Sequence, residues 1–236
     1  MTTTNVGEFA NSPPNLPLGN QLDSSLVAEP TLELAQIQVR KKGRPLSFDR
    51  ERALHQAMLL FWRHGYESTS LNDLTTAIGV PPSSIYTVFK DKKSLFLESV
   101  ALYMSGPVTS KTIIDEAQTG YDAAWGLLQS AAVGFTGADT PAGCLLATSA
   151  ISCSNAASDV QSALAAIRQE VEAQLRDKIE QSIHQGNLPN DVDAEALAAH
   201  TIAVIQGLST LARDGAPRPK LLKIAETTMQ AWPKKR

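Results

Sequence analysis

The chain has 236 residues, with 21 Lys plus Arg against 24 Asp plus Glu and an apolar fraction of 43%. That suits one or two small globular domains with an ample core, and no apolar run reaches the roughly 18 to 20 residues a membrane-spanning helix needs, which argues against a membrane protein. Two cysteines, and a start without the basic residues, apolar stretch and small-residue cleavage site of a secretory leader, point to a reducing cytoplasm.

Charge is uneven along the chain. Residues 1–39 carry Glu8, Asp23, Glu29 and Glu33 with no Lys or Arg, and Pro13, Pro14, Pro17 and Pro30 lie among Asn, Ser and Gly. This is the composition of a disordered arm, in which Thr31 to Val39 can form at most a turn of helix. Residues 40–105 hold ten basic and six acidic residues, a net charge of plus 4, whereas residues 106–236 hold 11 basic and 14 acidic. Arg40, Lys41, Lys42 and Arg44 fall within five residues. Such a cluster suits a polyanion, although an isolated basic pentamer is more often a solvated charge run.

From residue 47 onward the apolar spacing is helical, and Gly and Pro recur at helix-sized intervals, so the predicted class is all-α. A first helix is expected over 47–64, burying Leu54, Ala57, Met58 and Phe61 and ending at Gly65. Ser70 and Asp73 have capping-box spacing for a second helix that buries Leu71, Leu74 and Ile78. Gly79 permits a sharp reversal, and Pro82 occupies a first helical position, where its missing N–H costs nothing. The third helix then runs from Pro82 to Phe89 with Ile85 and Phe89 inward. Asp91 caps a fourth, from Lys92 to about Met104, with Leu95, Phe96, Val100 and Tyr103 available for packing. Beyond Gly106 and Pro107, helices are expected over about 121–135, 141–153, 158–185, 193–213 and 218–232.

Three short helices, the second and third joined by a Gly turn and preceded by a basic arm, are the parts of a helix-turn-helix. A reading helix must be short and small-sided where it enters a major groove about 12 Å wide. Ser83, Ser84 and Thr87 meet that requirement, Tyr86 is long enough to reach a phosphate, and the amides of Ser83 and Ser84 can point at a phosphate oxygen. Lys92 offers its side chain for the same purpose. The alternative is any small helical subdomain.

Residues 43–97 resemble the N-terminal DNA-binding domain of the TetR family of bacterial transcriptional regulators. The resemblance lies in the A-x-x-L-F-x-x-x-G-Y stretch ending at Gly65 and Tyr66, Thr69-Ser70, Leu74, Ile78-Gly79-Val80, and Ile85, Tyr86, Phe89 and Lys92 before Leu95. It implies that Ser70, Ser84, Tyr86, Thr87 and Lys92 contact phosphates of operator DNA and that Asn72, Pro82 and Ser83 lie nearest the bases. The chain departs from the family pattern in having Pro81 where a capping Ser is common, and Ser83-Ser84 where Gly-Thr is common. Gly43-Arg44-Pro45 is similar to minor-groove-binding arms, which makes Arg44 a further DNA-contact candidate.

The resemblance also implies a helical C-terminal domain that dimerises and binds a small molecule. Three segments result: an arm at 1–39, a helix-turn-helix domain with its basic extension at 40–105, and an effector-binding and dimerisation domain at 106–236. Ala198, Ile202, Ile205, Leu208, Ser209, Ala212, Leu222 and Met229 form apolar faces on the last two helices that suit a four-helix bundle across a twofold axis, or else an intramolecular core. Tyr103, Trp125, Leu128, Phe135, Cys144, Leu145, Leu164 and Arg168 lie on the helices that enclose the family's pocket, and apolar walls with one Arg suit an organic, even anionic, effector. Cys144 and Cys153, placed on one helix, would face opposite ways, which argues against an intrahelical disulfide or a shared metal. His55, His64, His184 and His200 lie on different helices, so neither metal nor cofactor is expected.

The resulting expectation is a sequence-specific DNA-binding regulator, a dimeric repressor released from its operator by a small-molecule effector. An architectural DNA-binding protein without an effector is the alternative. A small helical enzyme is the weaker one, because the chain has no G-x-S-x-G elbow, phosphate-cradling Gly loop or H-E-x-x-H.

Overall fold

Asp49 accepts the backbone amides of Glu51 and Arg52 at 3.0 and 3.2 Å and so opens the first helix. A cap of this kind is worth about 0.5–2 kcal/mol. In the computed structural model, which describes residues 49–151 and 153–233, this helix is α1, Arg50–His64. It starts three residues later than the apolar spacing suggests, because Asp49 is the residue whose carboxylate reaches the free amides. Its buried face is Ala53, Ala57, Met58, Phe61 and Trp62, with Leu54 only half-buried. The arm, the basic cluster and Arg44 lie outside the described residues.

Helices α2, Leu71–Ile78, α3, Pro82–Phe89, and α4, Lys92–Met104, complete the head. Ser70 and Asp73 form the reciprocal capping box, and Gly79 takes φ 78°, ψ 35°, the left-handed conformation that lets the chain reverse into α3. Phe61, Leu74, Ile85, Phe89, Leu95 and Phe96 are essentially excluded from solvent, and the Phe61 and Phe96 rings meet edge to face at 5.0 Å. Leu71 and Ile78 stay half-buried.

The remainder consists of α5, Ser110–Glu116, α6, Gly120–Gly134, α7, Leu145–Thr148, a 3-10 turn at Asn155–Ala157, α8, Ser158–His184, α9, Ala194–Arg213, and α10, Arg218–Gln230. Helix α6 is the hub of this body and packs against α5, α8, α9 and α10. Its core contains Ala123, Leu127, Leu128, Phe135, Leu175, Ile179, Leu208, Leu221 and Trp232. Helix α5 was not expected. Thr109 and Thr112 close its first turn by reciprocal hydrogen bonds, and it buries Ile114.

The helix expected over 141–153 shrinks to the single turn of α7, because the head captures the backbone on both sides of it. Before α7, Gly143 takes φ 81° and its carbonyl accepts the Trp62 indole N–H at 3.0 Å. After it, the Ser149 carbonyl accepts the Tyr66 amide at 2.7 Å, and Ser154 donates its amide and hydroxyl to the Glu67 carboxylate at 2.9 and 2.7 Å. Cys144 therefore caps α7 and Cys153 lies in the loop beyond it, so the two thiols do not share a helix and the argument from opposite faces does not apply. Leu145, Ala150, Val160 and Leu164 belong to the head's apolar cluster, so the packing boundary does not follow the chain boundary at 105/106.

Candidate nucleic-acid interface

The geometry of α3 follows from its two ends. Pro82 stands at the first helical position with φ preset, and Pro81 in front of it offers no side-chain cap. Ser84 donates its amide to the Pro81 carbonyl at 3.0 Å, which corrects the expectation that both the Ser83 and Ser84 amides are free for a phosphate: tightening of the first turn consumes one of them. Ile85 and Phe89 anchor one side in the core. Pro82, Ser83, Tyr86 and Thr87 are exposed on the other, and Tyr86 leaves 52% of its surface open. Ser84 is half-buried, and the Thr87 hydroxyl folds back onto the Ser83 carbonyl at 2.8 Å.

The flanking candidates lie on the neighbouring elements. Asn72 is exposed on the first turn of α2. The Ser70 hydroxyl accepts the Asp73 amide at 3.1 Å, while the hydroxyl and amide of Ser70 donate to the Asp73 carboxylate at 2.6 and 2.8 Å and hold that carboxyl below its ordinary value. Lys92, at the start of α4, is half-buried; its ammonium lies 4.5 Å from the Tyr66 ring centroid and 3.5 Å from the Glu67 carbonyl oxygen. Burial lowers its pKa, against the pull of Glu67 and Asp73. Burial likewise raises that of Tyr66, helped by the Glu67 charge. Lys93 pairs with Asp159 of α8 and is held protonated by it. Arg50 pairs with Glu98 and lies 5.0 Å from the Phe89 ring centroid.

One exposed cation beside α3 escapes a spacing analysis. Lys90 has φ 75° and ψ −57°, and the Asp91 amide donates across it to the Phe89 carbonyl at 2.9 Å, which is a γ-turn in its strained form. The turn leaves Asp91 free to accept the Ser94 amide at 2.7 Å and cap α4.

The residues expected to line an effector pocket are shared between two cores. Leu128 and Phe135 are buried in the body, with Trp125 and Cys144 packed against that cluster; Leu145 and Leu164 are buried on the head side, with Tyr103 packed against them. The Tyr103 hydroxyl meets the Cys144 sulfur at 3.5 Å, and burial raises the pKa of both groups. Arg168 donates to the Leu146 carbonyl at 2.6 Å. A groove of about 450 Å3 opens elsewhere, between α9 and α10, lined by His200, Lys220, Lys223, Ile224, Thr227, Thr228 and Ala231. Of the residues expected at a twofold interface, Ala198, Ile202, Leu208, Ser209, Ala212 and Met229 are buried within the single chain, while Ile205 and Leu222 are half-buried. Among the described residues no three His, Cys, Asp or Glu side chains gather as a metal site, and no helix is long and apolar enough to cross a membrane.

Two family models match the chain: "Bacterial regulatory proteins, tetR family" over residues 53–99 and "Tetracyclin repressor-like, C-terminal domain" over residues 122–219. The HTH-type transcriptional repressor ComR of Escherichia coli (strain K12) is 35% identical over 196 residues, which cover 82% of this chain and 93% of that protein. The fold is similar to that of the TetR-family regulator CifR, solved as a cysteine-substituted variant in complex with a 26-base-pair operator duplex, with a TM-score of 0.77 and 36% identity over 81% of this chain and 100% of that one. The TetR regulator of Chloroflexus aurantiacus is similar in fold, with a TM-score of 0.68 and 21% identity over 79% of this chain and 96% of that one. With both of its parts matched and a repressor aligned along most of its length, this chain belongs to the TetR family of bacterial DNA-binding transcriptional regulators.

Proposed function

We propose that the protein is a homodimeric repressor that reads operator DNA with α3 and leaves it when a small organic effector enters the body. The observation that carries the reading is the outer face of α3, where Pro82, Ser83, Tyr86 and Thr87 stand exposed together on a two-turn helix anchored from behind by Ile85 and Phe89. Small side chains let such a helix enter a major groove, and in this reading Tyr86 and Lys92 meet the phosphates beside it. Ser70, Asn72 and Ser84 complete the footprint, with Arg44 reaching the adjacent minor groove.

A twofold pair brings two copies of α3 to half-sites about 34 Å apart, one turn of DNA. In this reading the last two helices meet their mates through side chains the single chain leaves partly open, Ile205 and Leu222 among them. The effector separates the two cores where Tyr103 meets Cys144, and it must bind the released arrangement more tightly than the DNA-bound one.

Fluorescence polarisation with the full chain tests the reading. The expected result is preference for duplexes from upstream of its own gene over random DNA at both low and moderate salt, with affinity for every duplex lowered in Tyr86→Ala and in Lys92→Glu. Equal binding to all duplexes with a steep salt dependence would instead mark an architectural protein.

A further inference from the structure

Arg213, in the last turn of α9, reaches into the head. Its guanidinium donates to the carbonyls of Trp62 at 3.0 Å and Arg63 at 2.8 Å and to the Thr148 hydroxyl at 3.2 Å. Both carbonyls belong to the last turn of α1, where the helix supplies no partners of its own and where positive charge is favoured. A planar fork can span two such carbonyls and fix a direction, whereas an ammonium acts as a point.

The same region is pinned a second time. Ser209, one turn earlier on α9, accepts the Cys144 amide on its hydroxyl at 2.8 Å, while Trp62 donates to the Gly143 carbonyl at 3.0 Å. The loop at 143–144 is thus held between α1 and α9. It fits only because residue 143 has no side chain: a Cβ there would stand 2.8 Å from Arg213 Cγ and 2.9 Å from the Ser209 carbonyl oxygen, on a backbone with φ 81°. The end of α1 is therefore clasped to α9 through Arg213 on one side and through the 143–144 loop on the other. In turn α1 packs on α2 and α4, which carry the reading helix.

We infer that Arg213 is a positioning residue for DNA recognition: it transmits the geometry of the dimer axis to the heads and so sets the separation of half-sites that the protein accepts. This inference rests on the proposed dimerisation through α9 and α10. A cap that merely stabilised α1 would change affinity for every duplex by the same factor. A positioning residue changes the dependence on spacing.

The test uses the full-length protein and a duplex recovered by in vitro selection from random DNA, together with versions in which one or two base pairs are inserted between or removed from the half-sites. Wild type is expected to lose about tenfold or more in affinity at each altered spacing, the order of size of one charge-assisted interaction. Arg213→Ala is expected to bind the selected duplex about tenfold more weakly and to vary less than about threefold across the series. Arg213→Lys, which keeps a charge on the α1 carbonyls and is the safer variant to fold, is expected to give an intermediate profile. A folded Arg213→Ala or Arg213→Lys with the wild-type profile overturns the assignment while leaving the dimer reading intact. Wild type without spacing dependence, sedimenting as a monomer on DNA, overturns the dimer reading and this inference together.

Discussion

The Lys92 ammonium sits 4.5 Å from the centroid of the Tyr66 ring and is held there from the start of α4. The ring face and the Glu67 carbonyl keep the cation in place, while burial makes its charge dearer than on an open surface. A cation ordered before DNA arrives loses less side-chain entropy on meeting a phosphate. Lys92→Gln is therefore expected to weaken binding to all duplexes alike and to reduce the salt slope of log affinity by about 0.9 per lost phosphate contact in each subunit. Polarisation titrations across a salt series check this, and an unchanged slope would remove Lys92 from the interface.

Glu67 gives an acid-side prediction. Hydrogen bonds from the Ser154 hydroxyl and amide hold its carboxyl below the ordinary value of 4.5. Because the folded-state value is the lower one, the stability it adds is present above about pH 4.5 and is lost as pH falls through the folded value. Asp73, Asp91 and Asp159 are depressed as well and act in the same direction below their ordinary value of 3.8. Melting curves from pH 6 to 3 should therefore fall more steeply for wild type than for Glu67→Gln, which keeps an acceptor for Ser154 without the charge. Parallel curves would show that the loop at Ser154 adds no pH-dependent stability.

Two glycines of α6 should respond differently to alanine. A Cβ at Gly120 would lie 2.9 Å from both Cα and Cγ1 of Ile179 on α8, and backbone there cannot yield. Gly120 also donates its amide to the buried Ser182 hydroxyl at 2.7 Å, which fixes the approach of the two helices. Gly120→Ala is expected to cost about 1–3 kcal/mol of stability through overpacking. At Gly126, among the described residues outside its own stretch of helix, a Cβ would meet only the Ile113 Cγ2 methyl, at 2.8 Å, on a side chain that can rotate. There the helix preference of Ala, worth up to about 1 kcal/mol, offsets the contact and leaves a change near zero. Urea denaturation of the two variants side by side measures the difference.

Legibility in the sequence tracked the distance between cause and effect. Helix α3 has the expected limits, Pro82 to Phe89, because Gly79, Pro82 and Asp91 act within a few residues of what they determine. The outward face with Ser83, Tyr86 and Thr87 follows from the same spacing. The segment around α7 was misread as a long helix because its ends are set by Trp62, Tyr66 and Glu67, with Trp62 lying 81 positions from Gly143 and Glu67 lying 87 from Ser154. Helix α5 escaped because its cap pairs two threonines instead of a threonine with an acid. Within the site, spacing put Ser84 in the first turn of α3 and Lys92 at the start of α4, where the structure has them, but could not reveal that Pro81 takes the Ser84 amide or that Tyr66 holds the Lys92 ammonium. Those are competitions between partners, settled only in three dimensions.

Lys90 combines charge and strain at the exit from the reading helix, and the two can be separated by substitution. Its φ of 75° with a β-carbon present stores on the order of 1–3 kcal/mol, part of which glycine would release while paying about 0.5–1 kcal/mol in backbone entropy. Lys90→Gly should therefore raise stability by about 1 kcal/mol, whereas Lys90→Gln keeps the strain and should leave stability near wild type. Both remove a cation from the turn that follows Phe89, so both should weaken DNA binding and flatten its salt dependence to a similar degree. Chemical denaturation and polarisation on the same two variants resolve the contributions. If Lys90→Gly gains stability with unaltered affinity, the γ-turn serves only to present Asp91 to the first turn of α4. If both variants lose affinity equally, the strained turn also holds a phosphate-seeking charge at the edge of the groove.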